Sequence, residues 1–323
     1  MNRLWLRLGQ AVLTYVVAIT LAFVLMRLTP GDPIPQLDDQ QRFTVEEAAR
    51  LRALYGLDRP ILAQYGTFLS GALRGDLGSS IRYRGRPVVQ LLRERLPASL
   101  LLGGLVLLIN FTLGTWLGAW QAVRAGSRFD RATSALSLVL YAMPSFWLGT
   151  MLAWLVAVEW HLLPAAGMHD PTLAPDAALG LRVWDLCRHL LLPALTLSAV
   201  SIAAAMRLER SAMLEVLRLD FVRAARARGL DERQVVWHHA FPNALGPLLT
   251  LFGLWLPILV TGSVFVESVF GWPGLGLLAA DAIGGRDYPL MMGTTLLAAA
   301  LVIGGGLVSD LMHGWLDPRV RAL

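Results

Sequence analysis

Aspartate, glutamate and arginine are absent from six long stretches of this chain: Leu8–Met26, Leu96–Val123, Ala132–Val158, His189–Met206, Ala240–Val266 and Tyr288–Ser309. Crossing the hydrocarbon of a bilayer as a helix takes about 20 apolar residues, within a range of roughly 17–25. Each stretch meets that length, His189–Met206 by the smallest margin, so the pattern predicts six transmembrane helices. The first is longer than the ~7–15-residue apolar core of a cleaved signal, and Thr29-Pro30-Gly31-Asp32-Pro33 is a poor cleavage site. It is therefore expected to stay as a span.

The polar residues between the spans define the remaining organisation. Residues 29–95 form an insertion between the first two spans. Within it, Thr44-Val45-Glu46-Glu47 has capping-box spacing and predicts a helix that stops near Gly56. A second helix is expected from Pro60, since proline suits a first turn, to the glycine-rich Arg74–Ser80. A third, amphipathic one over Pro87–Arg95 should lead into the second span. The expected fold is an all-α membrane protein in three parts: a tail and first span (1–28), a small extracytoplasmic insertion lying as a lid (29–95), and a core of five spans (96–323).

Inside the spans, Gly114-Thr115-Trp116-Leu117-Gly118 has the small-xxx-small spacing that lets helices approach closely, a packing feature ahead of a gate. Met143-Pro144-Ser145 should kink the third span, because proline lacks the backbone donor. Polar groups at membrane depth are candidates for the translocation path. They are Asn110, Ser145, Glu267 and Asp310, with helix bridging the better reading for Asn110 and ion pairing or capping for Glu267 and Asp310.

Composition sharpens this picture. Apolar residues make up 55% of 323 and charged residues 16%, with a mean hydropathy of +0.55; soluble domains carry nearer a quarter charged. A soluble globule so apolar would expose large hydrophobic patches, so a lipid bilayer is the first partner. All 28 basic residues are arginine. A phosphate-gripping Walker loop needs a lysine, so this chain cannot hydrolyse ATP itself. The single Cys187 excludes an internal disulfide and a cysteine-rich metal site. His238 and His239 are adjacent and point about 100° apart on a helix, and His161 and His169 fall in a loop, so no metal or cofactor is expected. Nothing points to nucleic acid. An ion-coupled secondary transporter would need paired carboxylates deep in the spans, and a membrane-embedded enzyme a nucleophile–base pair; the six stretches hold neither.

Arginine also orients the chain. With both termini in the cytoplasm, 14 arginines fall on the inner side, and the short outer loops hold only Arg182, Arg188 and Arg286. The 11 arginines of Arg27–Arg95 lie in a segment longer than the ~60 residues over which the positive-inside bias acts.

Seven arginines crowd the inner loop from Arg207 to Pro242. Asp220 is placed to cap a short helix Phe221–Arg228, which Gly229 would end. Asp231 is placed to cap a second, which Pro242 would end or hand to the fifth span. The product is a helix–glycine–helix elbow. With small Ala224 and Ala225 on one helix and Phe221 a turn back, it suits docking in a groove of another protein. A basic loop lying on anionic lipid fits the same residue chemistry as well.

The spacing decides between them. Ala224-Ala225, Gly229 and Phe241-Pro242 resemble the EAA motif of binding-protein-dependent ABC importer permeases, with Arg223 in the place of its Glu and His239 in that of its Ile. Leu28-Thr29-Pro30-Gly31-Asp32-Pro33, Tyr55-Gly56-Leu57-Asp58-Arg59-Pro60, Gly75-Asp76-Leu77-Gly78, Pro144-Ser145-Phe146-Trp147, Gly271-Trp272-Pro273-Gly274 and Arg286-Asp287-Tyr288-Pro289 resemble the dipeptide/oligopeptide/nickel subfamily, in particular its permease with a long outer loop. That resemblance implies a bacterial or archaeal cytoplasmic-membrane importer containing this chain, a second similar permease, two ATPase subunits and an extracytoplasmic solute-binding protein. It implies peptides as the substrate, with nickel or a metal chelate as the alternative. It also makes 220–242 a coupling element, with Asp220, Phe221, Arg223, Ala224, Ala225, Gly229, Phe241 and Pro242 at the ATPase contact.

Overall fold

A computed structural model of the chain describes residues 2–28, 49–50, 52–53, 56, 58–174, 176–255 and 264–316, with side chains of the terminal helices described over 6–28 and 264–308. Every regular element among them is a helix, and Ser79 and Pro87 form an isolated antiparallel bridge. The helices are α1 (Asn2–Leu28), α2 (Ile61–Leu73), α3 (Val88–Ile109), α4 (Thr115–Val123), α5 (Arg128–Ala142), α6 (Ser145–Leu152), α7 (Leu179–Val216), α8 (Asp220–Ala227), α9 (Glu232–Gln234), α10 (Phe241–Ala244), α11 (Gly246–Trp255), α12 (Val264–Val269), α13 (Leu275–Gly284) and α14 (Tyr288–Leu316). Wider π-helical turns cover Asn110–Gly114, Ala153–Glu159 and Val235–Ala240.

Leu6–Leu28, Val88–Val123, Leu179–Val216 and Tyr288–Val308 are each long and apolar enough to cross a membrane. Arg128–Ala142 and Ser145–Glu159 make a fifth span only as a pair, bent by 104°. The expected kink at Pro144 is thus a break. Pro144 has no N–H and pushes the residue before it out of the helical region, and Met143 sits at ψ 135°. Of the fifth predicted span, Ala240–Val266, α11 covers Gly246–Trp255, and residues 256–263 lie outside the described set. Of the helix predicted from Thr44, residues 49–50 and 52–53 are described and are helical, and Gly56 follows them at φ +63°.

The fourth span departs most from its sequence boundaries. Residues 179–188 and 207–216 were expected as loop, yet α7 runs unbroken for 38 residues. At 1.5 Å per residue it is about 57 Å long, nearly twice a bilayer's hydrocarbon. Charge marks where lipid ends, not where a helix ends: Arg, Glu, Leu, Met and Ala all extend a helix readily in water.

The chain divides into two compact units. Met1–Ser99 and Pro273–Gly304 form the first. Its core joins Ile19 and Phe23 of α1 to Met292 and Leu296 of α14, with Tyr65 and Phe68 of α2 packed alongside. Helix α2 begins after Pro60, as predicted. Asp287 is fully buried and saturated: it accepts the Ser80 hydroxyl, the Arg82 N–H at 3.0 Å and the Leu290 N–H at 3.2 Å. It thereby caps α14 and pins the end of the polar insertion to it. Ser99 Oγ accepts the Leu275 N–H at 2.7 Å at the start of α13.

Leu100–Trp272 and Gly305–Leu323 form the second unit. A Cβ at Gly118 would sit 2.5 Å from the Met206 carbonyl oxygen, and one at Gly114 would sit 3.0 Å from Ala205 Cβ. The small-xxx-small spacing therefore does what its residue types suggest, letting α4 lie directly on α7. Asn110 bridges helices, its Nδ2 donating to Ser201 Oγ of α7 at 2.7 Å. The segment before α7 is tied down by Gly167 N–H on the Phe270 carbonyl (2.8 Å) and Asp170 N–H on Asp185 (3.0 Å).

Candidate functional site

The elbow grows from the far end of α7. Helix α7 stops at Val216, the chain turns through Arg218 and Leu219, and α8 starts at Asp220. Leu219, not Asp220, is the capping residue, with ψ 152°. Asp220 occupies the first helical position, and its carboxylate lies 3.4 Å from Arg223 on the next turn, both side chains open to water. A carboxylate there still favours the helix through the N-terminal dipole without making the cap bond. The helix ends as expected: Gly229 takes φ +79°, a conformation an L side chain adopts poorly. Asp231 then caps α9 by accepting the Arg233 N–H at 3.2 Å.

One face of α8 is locked inside the chain. Val222 and Ala225, three residues apart and 0% and 1% exposed, join a single core with Ala119 and Ala122 of α4, Met213 and Val216 of α7, and Val235, Val236, Ala240 and Ala244 beyond the turn. Ala225 was expected on the docking face, and that placement is wrong. The Ala-Ala pair straddles the helix, Ala225 pointing into the shared core and Ala224 pointing out. Phe221, Ala224 and Arg228, at i, i+3 and i+7, make the outward stripe. Phe221 is 40% exposed although its ring is apolar.

Two features stiffen the turn. Arg226 grips Glu232 with paired bonds of 2.6 and 3.0 Å across Gly229. That hydrogen-bonded guanidinium holds the Glu232 carboxyl below its usual range and raises Arg226 in turn. A depressed carboxyl stabilises above the ordinary glutamate value, and the benefit fades as pH falls through the folded value. Both groups are exposed, so the bridge is worth about 0–1 kcal/mol. On the other side, Trp237 packs on Phe241 at 5.2 Å between ring centres, and Phe241 leans on the shared core. Pro242 is exposed within α10, so it hands the chain on rather than stopping it.

Arg223, in the place of the motif glutamate, is exposed and donates to the Arg218 carbonyl at 2.9 Å. Of the path candidates, Asn110 is a helix bridge, Ser145 opens α6 half-buried, and Glu267 is fully buried in α12 with its carbonyl accepting the Trp272 N–H. Helices α6 and α12, which carry Ser145 and Glu267, meet through Phe146 and Phe265, 6.2 Å apart between ring centres, whereas Asn110 pairs with α7. The side chain of Asp310 lies outside the described set.

Sequence reading missed two groups beside the elbow. Asp130 accepts two bonds from Arg210 (2.8 and 2.9 Å) and one from the Gly126 N–H, clamping the start of α5 to α7. Glu209 is fully buried next to Gly118, and neither carboxylate oxygen has a hydrogen-bond partner among the described residues. Treating 207–216 as loop hid both: on a helix, spacing from Met213 and Val216 would have placed Glu209 on the inward face.

Fold and site define a class: a polytopic all-α membrane protein whose longest span ends in a helical elbow packed onto a neighbouring span. Comparison with known proteins narrows the class. The family described as "Binding-protein-dependent transport system inner membrane component" matches residues 114–322, and the chain belongs to it. Among curated relatives it is 36% identical over 330 residues to the dipeptide transport system permease protein DppB of Escherichia coli (strain K12), covering 98% of this chain and 97% of that one. It is 38% identical to the di/tripeptide transport system permease protein DppB of Pseudomonas aeruginosa (strain UCBPP-PA14), with coverage of 98% and 97%. To the oligopeptide transport system permease protein AppB of Bacillus subtilis (strain 168) it is 37% identical, with 93% of each covered. A solved structure of the MetNI methionine ABC transporter in inward-facing conformations matches with a TM-score of 0.56 at 20% identity, over 71% of this chain and 97% of that one. At that identity the likeness speaks for fold alone, that of a type I ABC importer permease.

Proposed function

We propose that this chain is the permease subunit of a peptide importer, forming half of a translocation path with a second permease. Two ATPase subunits supply the energy, and an extracytoplasmic solute-binding protein delivers the substrate. Peptide as the substrate class rests on the printed names of the relatives. The ATPase contact rests on the elbow: its inner face is fused into one core with the ends of α4 and α7, and its outer face leaves Phe221, Ala224 and Arg228 uncovered. A push on α8 therefore cannot be absorbed locally, since close-packed cores shift as bodies rather than deform. It moves two spans.

Ala224→Trp and Ala225→Trp test this. Ala224 is exposed, so tryptophan there should leave the subunit's own stability within about 0.5 kcal/mol, yet abolish ATPase co-purification and peptide uptake. Ala225→Trp overfills a closed core and should destabilise the subunit alone by about 1–3 kcal/mol. Uptake and binding-protein-stimulated hydrolysis that survive Ala224→Trp at normal expression would overturn the docking role.

A further inference from the structure

The first unit holds a cavity of about 710 Å³ that the transport reading does not use. Its walls come from the end of α1 (Phe23, Arg27), from α2 and the turn after it (Phe68, Arg74, Asp76), from Arg59, and from the start of α14 (Tyr288, Met292). Three arginines and one aspartate thus line it. Neither Arg59 nor Arg74 has an ion pair among the described residues, whereas Asp76 already accepts the Gly78 N–H at 2.9 Å. Arg27 is held between two rings, its guanidinium centre 5.5 Å from that of Phe23 and 5.3 Å from that of Tyr288. Cation–π contacts fix a guanidinium's position while leaving its N–H edge free to donate.

The depth of the cavity in the membrane is given by its own walls. Leu6–Leu28 and Tyr288–Val308 are candidate spans, and the cavity sits at the last turn of one and the first turn of the other. Both mark the boundary where hydrocarbon meets headgroups, the level at which tyrosine and arginine concentrate. Below it, α1 exposes Leu21, Val24 and Leu25, an apolar surface on which an acyl chain can lie.

We infer that this cavity binds the phosphate headgroup of an anionic phospholipid. The chemistry it offers is that of a phosphate oxyanion site: one guanidinium held in place and two more free to close on a ligand, a net positive lining and planar forks suited to paired oxygens. A free phosphate shares that chemistry. The interfacial depth and the adjoining apolar strip of α1 favour the lipid.

The test uses the full chain in its assembled complex, in nanodiscs of phosphatidylcholine with increasing phosphatidylglycerol. Native mass spectrometry would count retained phosphatidylglycerol, and thermal unfolding would report its effect. Arg59→Gln with Arg74→Gln should weaken phosphatidylglycerol retention about tenfold and flatten the rise of Tm with its content. Arg84→Gln with Arg93→Gln removes the same charge from exposed sites outside the cavity and should change neither. Inorganic phosphate should not displace the lipid. Equal retention in wild type and the cavity variant, or an equal loss in both variants, would overturn the site. Saturation of the Tm shift by inorganic phosphate alone would overturn the lipid assignment in favour of a soluble anion.

Discussion

Glu209 is the residue whose surroundings least suit it. It lies on the inward face of α7, against Gly118 and the span that glycine brings close, with both carboxylate oxygens buried and unbonded among the described residues. An unsatisfied buried polar group costs on the order of 1–3 kcal/mol, more when charged. Replacement by methionine keeps the length and removes the polar atoms. Glu209→Met is therefore expected to raise the thermal stability of the purified subunit by about 1–3 kcal/mol; a lower melting temperature would mean the carboxylate is bonded after all. Asp287 shows the opposite arrangement. It is equally buried, but three donors surround it, so it holds the insertion to α14.

At the scale of elements, the direction in which α8 leaves the elbow depends on its turn. Gly229 sits at φ +79° with nothing within 4 Å of where a Cβ would point. Any penalty for a side chain there is purely one of backbone conformation, about 1–2 kcal/mol for a β-branched residue and less for asparagine. Gly229→Val should re-aim α8, and binding-protein-stimulated hydrolysis in the reconstituted complex should fall. Gly229→Asn should retain most of it. Equal activity of the two would show that the angle of the turn does not matter. The Arg226–Glu232 bridge adds little by itself, and its loss below the ordinary glutamate pKa should not disable the elbow, because the shared core carries the load.

At the scale of the molecule, the arginine distribution gives a topology that one experiment can check. Ser70 lies on exposed α2 and Ala224 on the outward stripe of α8. In a Cys187→Ser background, an impermeant maleimide should label Ser70→Cys in intact cells. Ala224→Cys should react only after permeabilisation. The reverse pattern would invert the orientation and place the elbow away from any ATP.

Much of this architecture is set by composition and pattern alone. A helix needs only apolar length to be recognised, so α1, α3 and α14 follow from the charge-free stretches. Proline and glycine act locally, so a bend at Pro144, though not its size, and the turn at Gly229 were visible in single residues. The positions of Ala224 and Ala225 were not, because both are small and adjacent, and only the neighbours brought by α4 and α7 decide which one turns inward. The length of α7 was hidden because charged residues end a membrane span without ending a helix. The roles of Asp130 and Asp287 were likewise invisible, since they are fixed by distant donors, Arg210 for the first and Ser80 and Arg82 for the second; Glu209 was hidden with the helix that carries it.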